Sequence, residues 1–196
     1  MSELCSEENY VQDKIWITSR VRMMAEKRLL RYNNWSLFLL AYYSVFTVIL
    51  SIFNEYFKSF YIYFDGITVA ASVAVLVASL VVGGFRFERT ASLYRDCYLS
   101  LQRLYEDEGD GRSKQKLYAD ILVVCPNHSN GDYHDFLFTQ IVLEGKEVTS
   151  NGKQLDCTRY MKFSYFSRRA FFWTLIGILV LIPLAFAASP LAAKCA

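Results

Sequence analysis

The sequence predicts an all-α integral membrane protein. Its expected parts are a helical hairpin with long cytoplasmic helix extensions, a small cytoplasmic helical region and a third, C-terminal hydrophobic helix. Three stretches of nineteen residues contain no Asp, Glu, Lys or Arg. A helix of that length is about 28 Å long, close to the hydrocarbon thickness of a bilayer. Apolar residues make up 54% of the chain and are concentrated in these stretches, while lysine and arginine lie mostly between them. A soluble fold would leave three such helices no polar face to present to water.

Residues 1–34 are predicted to form a cytoplasmic, basic amphipathic helix. Residues 8–34 contain no glycine or proline, and a seam with steps of 4-3-4-3-4 runs along them at Val11, Ile15, Thr18, Arg22, Ala25 and Leu29. This polar leader excludes a secretory signal peptide, which begins with a short basic segment and ends at a cleavage site. The helix is either a solvated stalk packed on a neighbour or a segment whose arginines contact the membrane surface.

Residues 35–53 and 67–85 are predicted to be the first and second transmembrane helices. Residues 54–66 form a short external loop with six aromatic residues, a composition that suits the bilayer surface. Residues 170–188 are predicted to be a third transmembrane helix, followed by a tail at 189–196. Trp35 and Trp173, near the cytoplasmic ends of their helices, are expected to anchor in the interface.

The distribution of positive charge predicts the orientation. Of 21 lysines and arginines, six precede the first apolar stretch and thirteen lie between the second and the third. Because Lys and Arg accumulate on the cytoplasmic side, the N-terminus and residues 86–169 are predicted to be cytoplasmic. The predicted membrane-boundary charges are Arg31, Arg86, Arg89, Arg168 and Arg169.

A second seam follows the second transmembrane helix. It also steps 4-3-4-3-4, at Phe87, Ala91, Tyr94, Tyr98, Leu101 and Tyr105. The spacing predicts that this transmembrane helix continues unbroken to about Glu106, as a cytoplasmic heptad seam. The extension would pack antiparallel on the N-terminal helix, or the seam would pair between subunits. Beyond it, a short helix is expected before Pro126, then a further helix or strand, and a turn at 149–156.

Small and hydroxylated residues form a stripe on each of the first two transmembrane helices. The members are Ser44, Thr47 and Ser51 on the first helix, and Thr68, Ser72, Val75, Ser79 and Gly83 on the second. One interpretation is tight helix packing within the hairpin, with hydrogen bonds across helices. The other is that the stripe lines a water-filled path, which requires several copies because three helices cannot enclose a pore.

One polar stretch, CPNHSNGDYHDF, contains four residue types that bind zinc. Cys125, His128, Asp132 and His134 could supply ligands, but their spacing matches no strong zinc pattern. The other interpretation is a capped turn, in which Asn130 or Asp132 begins the next helix. No metal and no cofactor are predicted.

Enzymatic activity is not predicted. The chain has no glycine-rich phosphate loop, no nucleophile elbow and no kinase motif set. Five cysteines occur without a Cys-x-x-Cys pair, and Cys5, Cys97, Cys125 and Cys157 lie on the predicted cytosolic side. Free thiols are therefore expected.

The stretch DKIWITSRVRMMAEKRLLRYNNWSLFLLAYYSVFTVILSIF, with the aromatic loop and second span, resembles the SLATT family. These are two-transmembrane effector domains associated with SMODS nucleotidyltransferases and SLOG sensors, and the similarity is to the branch associated with reverse transcriptases. The resemblance covers about residues 8–106. It rests on Trp16, the basic run at 20–31, Trp35, Tyr42–Tyr43 and Ser44.

The resemblance implies a membrane effector of bacterial antiphage defence in the inner membrane. Such an effector would oligomerise and form or open a pore when a partner activates it, causing abortive infection. The implied partners are the lipid bilayer, further copies of the chain, and a sensor such as a reverse transcriptase or nucleotidyltransferase. No direct nucleic-acid binding is predicted. The alternative is a non-conducting membrane scaffold that recruits a cytosolic defence enzyme. The third apolar stretch, with Pro183, departs from a two-span domain and would either span the membrane or form a re-entrant or peripheral helix.

Overall fold

The fold is almost entirely helical, as predicted. The computed structural model describes residues 2–109, 111–150 and 152–195, and the side chains of residues 10–190 within those ranges. Its elements are α1 (Ser2–Ile52), α2 (Asn54–Lys58), α3 (Phe64–Phe85), α4 (Phe87–Glu106), α5 (Gly111–Val124), α6 (Asn130–Leu137), a π-helical turn (Phe138–Leu143), β1 (Thr149–Ser150), β2 (Lys153–Gln154) and α7 (Arg159–Cys195). Among the described residues, three helical segments are long and apolar enough to cross a membrane: Tyr10–Ile52, Phe64–Glu106 and Arg159–Pro190.

The chain divides into two compact units. The polar unit comprises residues 1–30 and 87–169, and the apolar unit comprises residues 31–86 and 170–196. The chain passes between the units at 30/31, 86/87 and 169/170. Three of the predicted boundary charges therefore lie at these junctions: Arg31, Arg86 and Arg169. Their location at a bilayer surface stays a prediction.

In the polar unit, α1 and α4 pack side by side in opposite directions. Ile15 is fully buried against Leu101, while further along α1 the Glu26 carboxylate accepts a hydrogen bond from Arg95 Nε over 2.6 Å. A higher number on α1 thus meets a lower number on α4, so the helices are antiparallel. The predicted pairing of the two helix extensions is confirmed within a single chain.

The other side of the polar unit is organised around Phe136 of α6. Trp16 of α1 meets its ring edge-on at 5.7 Å between centroids, and Val21 and Val148 join the same buried cluster. Val148 leads into a two-stranded antiparallel hairpin, in which Thr149 pairs with Gln154 and Ser150 with Lys153. The segment predicted as a simple turn at 149–156 thus contains a small hairpin, turned through Gly152 at a φ of 70°.

The second transmembrane helix does not continue unbroken, which corrects the expectation of one helix to Glu106. Arg86 has φ 47° and ψ 40°, the left-handed conformation, and separates α3 from α4. The two glycines just before it, at 83 and 84, have weak helix propensity and favour an interruption here. A side chain with a Cβ is strained in this region by about 1–2 kcal/mol.

This strain predicts a difference between two substitutions at the same position. The free energy of unfolding of Arg86→Gly is expected to be about 1 kcal/mol higher than that of Arg86→Ala, because glycine adopts a positive φ without steric cost. Both variants lose the same arginine side chain, so its own interactions cancel in the comparison. Urea unfolding of the two variants in detergent measures the difference. Equal stabilities would show that residue 86 does not hold this conformation.

The apolar unit has its own core at the end formed by the aromatic loop. Leu50, Phe57 and Phe64 are buried together, and the Phe57 and Phe64 rings stack at 5.2 Å between centroids. Phe186 of α7 stacks on Tyr61 at 5.2 Å. The loop predicted at 54–66 therefore contains the short helix α2 and packs against α7.

Helix α7 is continuous, with Pro183 inside it, and α1 compensates for this proline. Proline has no N–H, so Pro183 leaves the carbonyl of Leu179, four residues earlier, without its helical donor. The Tyr43 hydroxyl donates to that carbonyl over 2.7 Å, and Tyr42 donates to the next carbonyl, that of Val180, over 3.0 Å. An unsatisfied carbonyl in lipid is costly. The hydrogen bond from Tyr43 removes this cost and attaches α7 to α1 within the apolar unit.

These two tyrosines form a matched pair of test positions. Tyr43→Phe is expected to lower the stability of the apolar unit by about 1 kcal/mol, because it leaves the Leu179 carbonyl unpaired. Tyr42→Phe is expected to cost less, because the Val180 carbonyl still has the N–H of residue 184 as its helical hydrogen-bond donor. The measurement is SDS-induced unfolding from mixed micelles, followed by Trp173 fluorescence. An equal or larger loss in Tyr42→Phe would contradict this assignment.

Candidate functional site

The hydroxylated stripe lies on outward-facing surfaces of α1 and α3. Its exposed members are Ser44, Ser51, Ser72, Ser79 and Gly83, while Thr47 and Thr68 are partly buried. Four of its hydroxyls donate to carbonyls of their own helix: Ser44 to Leu40, Thr47 to Ser44, Thr68 to Asp65 and Ser72 to Thr68, over 2.7 to 2.9 Å. These hydroxyls therefore need no partner from another helix and can face either lipid or water.

A different face of α3 is turned towards α1. A groove of about 380 Å³ runs between the two helices, and on α3 it is lined by Ala71, Ala74, Val75, Ala78 and Val82. Only Val75 belongs to both this face and the predicted stripe. The serines Ser72 and Ser79 lie about a quarter turn around the helix from the groove. Within one chain they are thus free to meet a second copy, lipid or water.

The predicted seam of α4 is buried only in part. Ala91, Tyr94 and Leu101 are buried, Phe87 and Tyr98 are partly buried, and Tyr105 is 40% exposed. Cys97 and Leu104 complete the buried face. Cys97, Leu101 and Leu104 are themselves spaced by four and three residues, so the buried face at this end of α4 lies beside the predicted seam and leaves Tyr105 out.

Two of the cysteines expected to be free are bonded. Cys97 on α4 and Cys125 after α5 form a disulfide with a Cα–Cα distance of 5.7 Å. Their spacing in the sequence, 28 residues, gave no sign of it. Cys157 is free, as expected, and the side chains of Cys5 and Cys195 lie outside the described residues.

The stretch considered for zinc is a capped helix start instead. Ser129, rather than Asn130 or Asp132, is the N-cap of α6: its hydroxyl accepts from Asp132 N over 3.2 Å. The Asp132 carboxylate in turn accepts from Ser129 N over 3.0 Å, completing a capping box. Cys125 is in the disulfide and the Asp132 carboxylate is in the capping box, so two of the four possible zinc ligands are already bonded. No group of three or more His, Cys, Asp or Glu in the described ranges is arranged to hold a metal ion.

Asp132 is also the acceptor for a buried ion pair. Its side chain is 0% exposed, and Arg28 of α1 approaches both carboxylate oxygens, with Nε at 2.9 Å and Nη2 at 3.1 Å. The Nη2 contact is a charge-assisted hydrogen bond, which is stronger than a neutral one, and the Nε contact is an ion-pair distance without hydrogen-bond geometry. One aspartate therefore fixes the start of α6 and attaches it to α1. The sequence reasoning missed Arg28 because nothing in its spacing relates it to Asp132.

Arg168 attaches the first part of α7 to α6. Its Nη2 donates to the carbonyl of Gly131 over 3.0 Å and to Asp135 Oδ1 over 2.6 Å. A Cβ at residue 131 would overlap Arg168 Nη1, so any other residue here would displace the end of the Arg168 side chain from these two acceptors. Arg169 donates to the Tyr165 hydroxyl over 3.2 Å, and Arg89 is exposed on α4. Arg168, predicted as a boundary charge, is thus also a structural contact of the polar unit.

Comparison with known proteins agrees with this architecture. Residues 5–189 match the family described as "SMODS and SLOG-associating 2TM effector domain family 5". The match includes α7 as well as the two helices that the description counts. No curated protein and no solved structure matches the chain. With its apolar helices and a family match over nearly its whole length, the chain is a membrane protein and belongs to the SMODS and SLOG-associating 2TM effector domain family, family 5, a family of defence-system effectors.

Proposed function

We propose that several copies of this chain assemble in the bacterial inner membrane and form or open a pore when a sensor partner activates them. The N-terminus and the polar unit would lie in the cytoplasm, and the distribution of lysine and arginine along the chain supports this orientation. Depolarisation of the membrane would then stop phage growth at the cost of the infected cell. The sensor would be an enzyme such as a reverse transcriptase or a nucleotidyltransferase.

The observation that carries this proposal is the exposed stripe on α3. The face turned to α1 is apolar, whereas Ser72 and Ser79 lie about a quarter turn to one side of it and are exposed. Their position suits a surface that becomes the wall of a water-filled path once copies associate. The absence of charge along 67–85 predicts weak ion selectivity.

Dye release from liposomes tests the lining. Ser72→Leu and Ser79→Leu are each expected to reduce release at least tenfold, because leucine narrows the path and repels water. Val77→Leu is the matched control, since Val77 lies on the opposite side of α3 and is exposed. Release by the control should equal that of the wild type.

Two outcomes would count against the proposal in different ways. Equal dye release by the wild type and both serine variants would show that the stripe does not line the pore. No dye release by the wild type, even when the proteins encoded by neighbouring genes are co-expressed, would show that the chain forms no pore.

A second candidate is the non-conducting scaffold, favoured by one surface of the polar unit. Val123 and Val124 at the end of α5 are 85% and 86% exposed, and Leu117 is exposed one to two turns earlier. Exposed apolar side chains of this kind suit a protein partner. For a scaffold, the wild type should release no dye, and the double variant Val123→Asp with Val124→Asp should abolish co-purification of a sensor enzyme. Leu93→Asp, at an exposed position of α4, is the control and should retain the partner. A partner retained by the double variant would argue against this surface.

A further inference from the structure

The polar unit contains a buried arginine whose charge is not compensated. Arg22 on α1 is 2% exposed, and neither its Nε nor its Nη1 has a hydrogen-bond acceptor within the described part of the chain. A guanidinium stays protonated in proteins. Burying a charge without a partner costs several kcal/mol, because water is lost and nothing replaces it.

Two carboxylates of the polar unit are paired with other arginines. Glu26, one turn further along α1, is paired with Arg95 at 2.6 Å. Asp132 is paired with Arg28 at 2.9 Å. Neither accepts a hydrogen bond from Nε or Nη1 of Arg22.

Two phenols, those of Tyr94 and Tyr118, lie near Arg22 but accept no hydrogen bond from its Nε or Nη1. The Tyr94 hydroxyl donates to the carbonyl of Asn127 over 2.6 Å, and the Tyr118 hydroxyl shares a 2.9 Å hydrogen bond with Thr18. Desolvation lowers the pKa of Arg22 from its ordinary value.

A short loop, residues 126–129, contacts Tyr94, one of the two phenols near Arg22, and is held at both ends. The disulfide of Cys125 holds its start, the bond from Tyr94 to Asn127 holds its middle, and the capping box of Ser129 holds its end. The loop is near enough to Arg22 for that charge to act on His128. The pKa of His128 is lowered, mainly by partial burial and then by Arg22, while Asp132 opposes the shift.

We propose that Arg22, beside the loop 126–129, is a binding site for a phosphate group. The guanidinium matches phosphate in charge and geometry, and a phosphate supplies the acceptors that the protein withholds. His128, which remains solvent-accessible, provides a second positive contact when protonated. Because Arg22 is 2% exposed, binding requires the loop residues 126–129 to shift despite these three attachments. The phosphate belongs either to a small soluble molecule or to a lipid headgroup.

The test uses the full chain in uncharged detergent, with inorganic phosphate as the probe at constant ionic strength. The chain has two histidines, so NMR titration can follow His128 directly. Phosphate at Arg22 is expected to raise the pKa of His128 towards its ordinary value and to raise the thermal unfolding midpoint. Arg22→Gln should weaken phosphate binding at least tenfold. Arg103→Gln, an exposed arginine on α4, is the matched control and should bind as the wild type does.

Nanodiscs separate the two sources of phosphate. If the midpoint rises only in phosphatidylglycerol discs and not in phosphatidylcholine discs, and Arg22→Gln abolishes the rise, the site is confirmed with a lipid headgroup as its ligand. If inorganic phosphate acts in detergent, a soluble ligand is confirmed. Phosphate effects that are the same in Arg22→Gln and the wild type would overturn the site.

A second variant addresses the case in which Arg22 is only structural. In phosphate-free buffer, Arg22→Met is expected to unfold at a higher temperature than the wild type, because an apolar side chain of similar volume removes the unpaired charge. A lower midpoint, or failure of this variant to fold, would show that Arg22 has a structural partner and would overturn the proposal.

Discussion

Asp132→Ala is expected to lower the free energy of unfolding of the polar unit by about 3 to 5 kcal/mol. The substitution leaves the Arg28 guanidinium without its buried carboxylate and removes one half of the capping box at α6. Loss of a cap alone costs about 1 kcal/mol, so the ion pair accounts for most of the effect. Few single substitutions in this chain should be as damaging, because Asp132 is fully enclosed.

A graded set of variants separates the two roles. Ser129→Ala removes the cap and should cost about 1 kcal/mol. Asp132→Asn keeps an acceptor for the Ser129 N–H but loses the charge, and should fall between the other two. Asp120→Ala, an exposed aspartate on α5, is the control and should stay within about 0.5 kcal/mol of the wild type.

Urea unfolding in detergent measures this series. Trp16 packs against Phe136 in the polar unit, so its fluorescence reports on this unit when Trp35 and Trp173 are changed to phenylalanine. Should Asp132→Ala unfold like the Asp120→Ala control, the buried ion pair with Arg28 would be absent from the protein in solution.

Features that depend on local periodicity could be predicted from the sequence. The three apolar helices and the pairing of α1 with α4 follow from runs of uncharged residues and from repeats of three and four. The break at Arg86 could not be predicted in this way, since an arginine is a rare choice for a left-handed conformation. The burial of Leu104 instead of Tyr105 could not be predicted either, because Cys97, Leu101 and Leu104 have the same spacing of four and three residues as the predicted seam.

Contacts between distant residues explain most of what sequence reasoning missed. Arg28 and Asp132 are 104 residues apart, and Tyr43 and Leu179 are 136 apart. The second contact did leave a sign, because a proline inside an apolar helix always frees the carbonyl four residues earlier. Pro183 thus marked Leu179 as needing a donor, although nothing in the sequence identified Tyr43 as the residue that supplies it.

The disulfide between Cys97 and Cys125 is expected to contribute about 3 to 4 kcal/mol to the stability of the polar unit. It closes a loop with a sequence separation of 28 residues, and a cross-link of that length restricts the unfolded chain accordingly. Cys125→Ser, at a partly exposed position, should lose this amount. A phosphine reductant should bring the wild type to the stability of Cys125→Ser and leave that variant unchanged. Cys157→Ser, at the free cysteine, is the control.

The same bond tests the orientation of the chain, because disulfides are rare in the cytosol. If the polar unit is cytoplasmic, both thiols should be reduced in growing cells and should be alkylated by a maleimide once the cells are quenched with acid and the protein is denatured, which exposes the buried Cys97. They should form the bond only after oxidation. A pair that resists alkylation in the quenched, denatured sample until reductant is added would place residues 87–169 in the periplasm. That result would overturn the orientation deduced from the lysines and arginines. A reduced pair would support it, and the loop 126–129 would then be less restrained in the cell than in the oxidised protein.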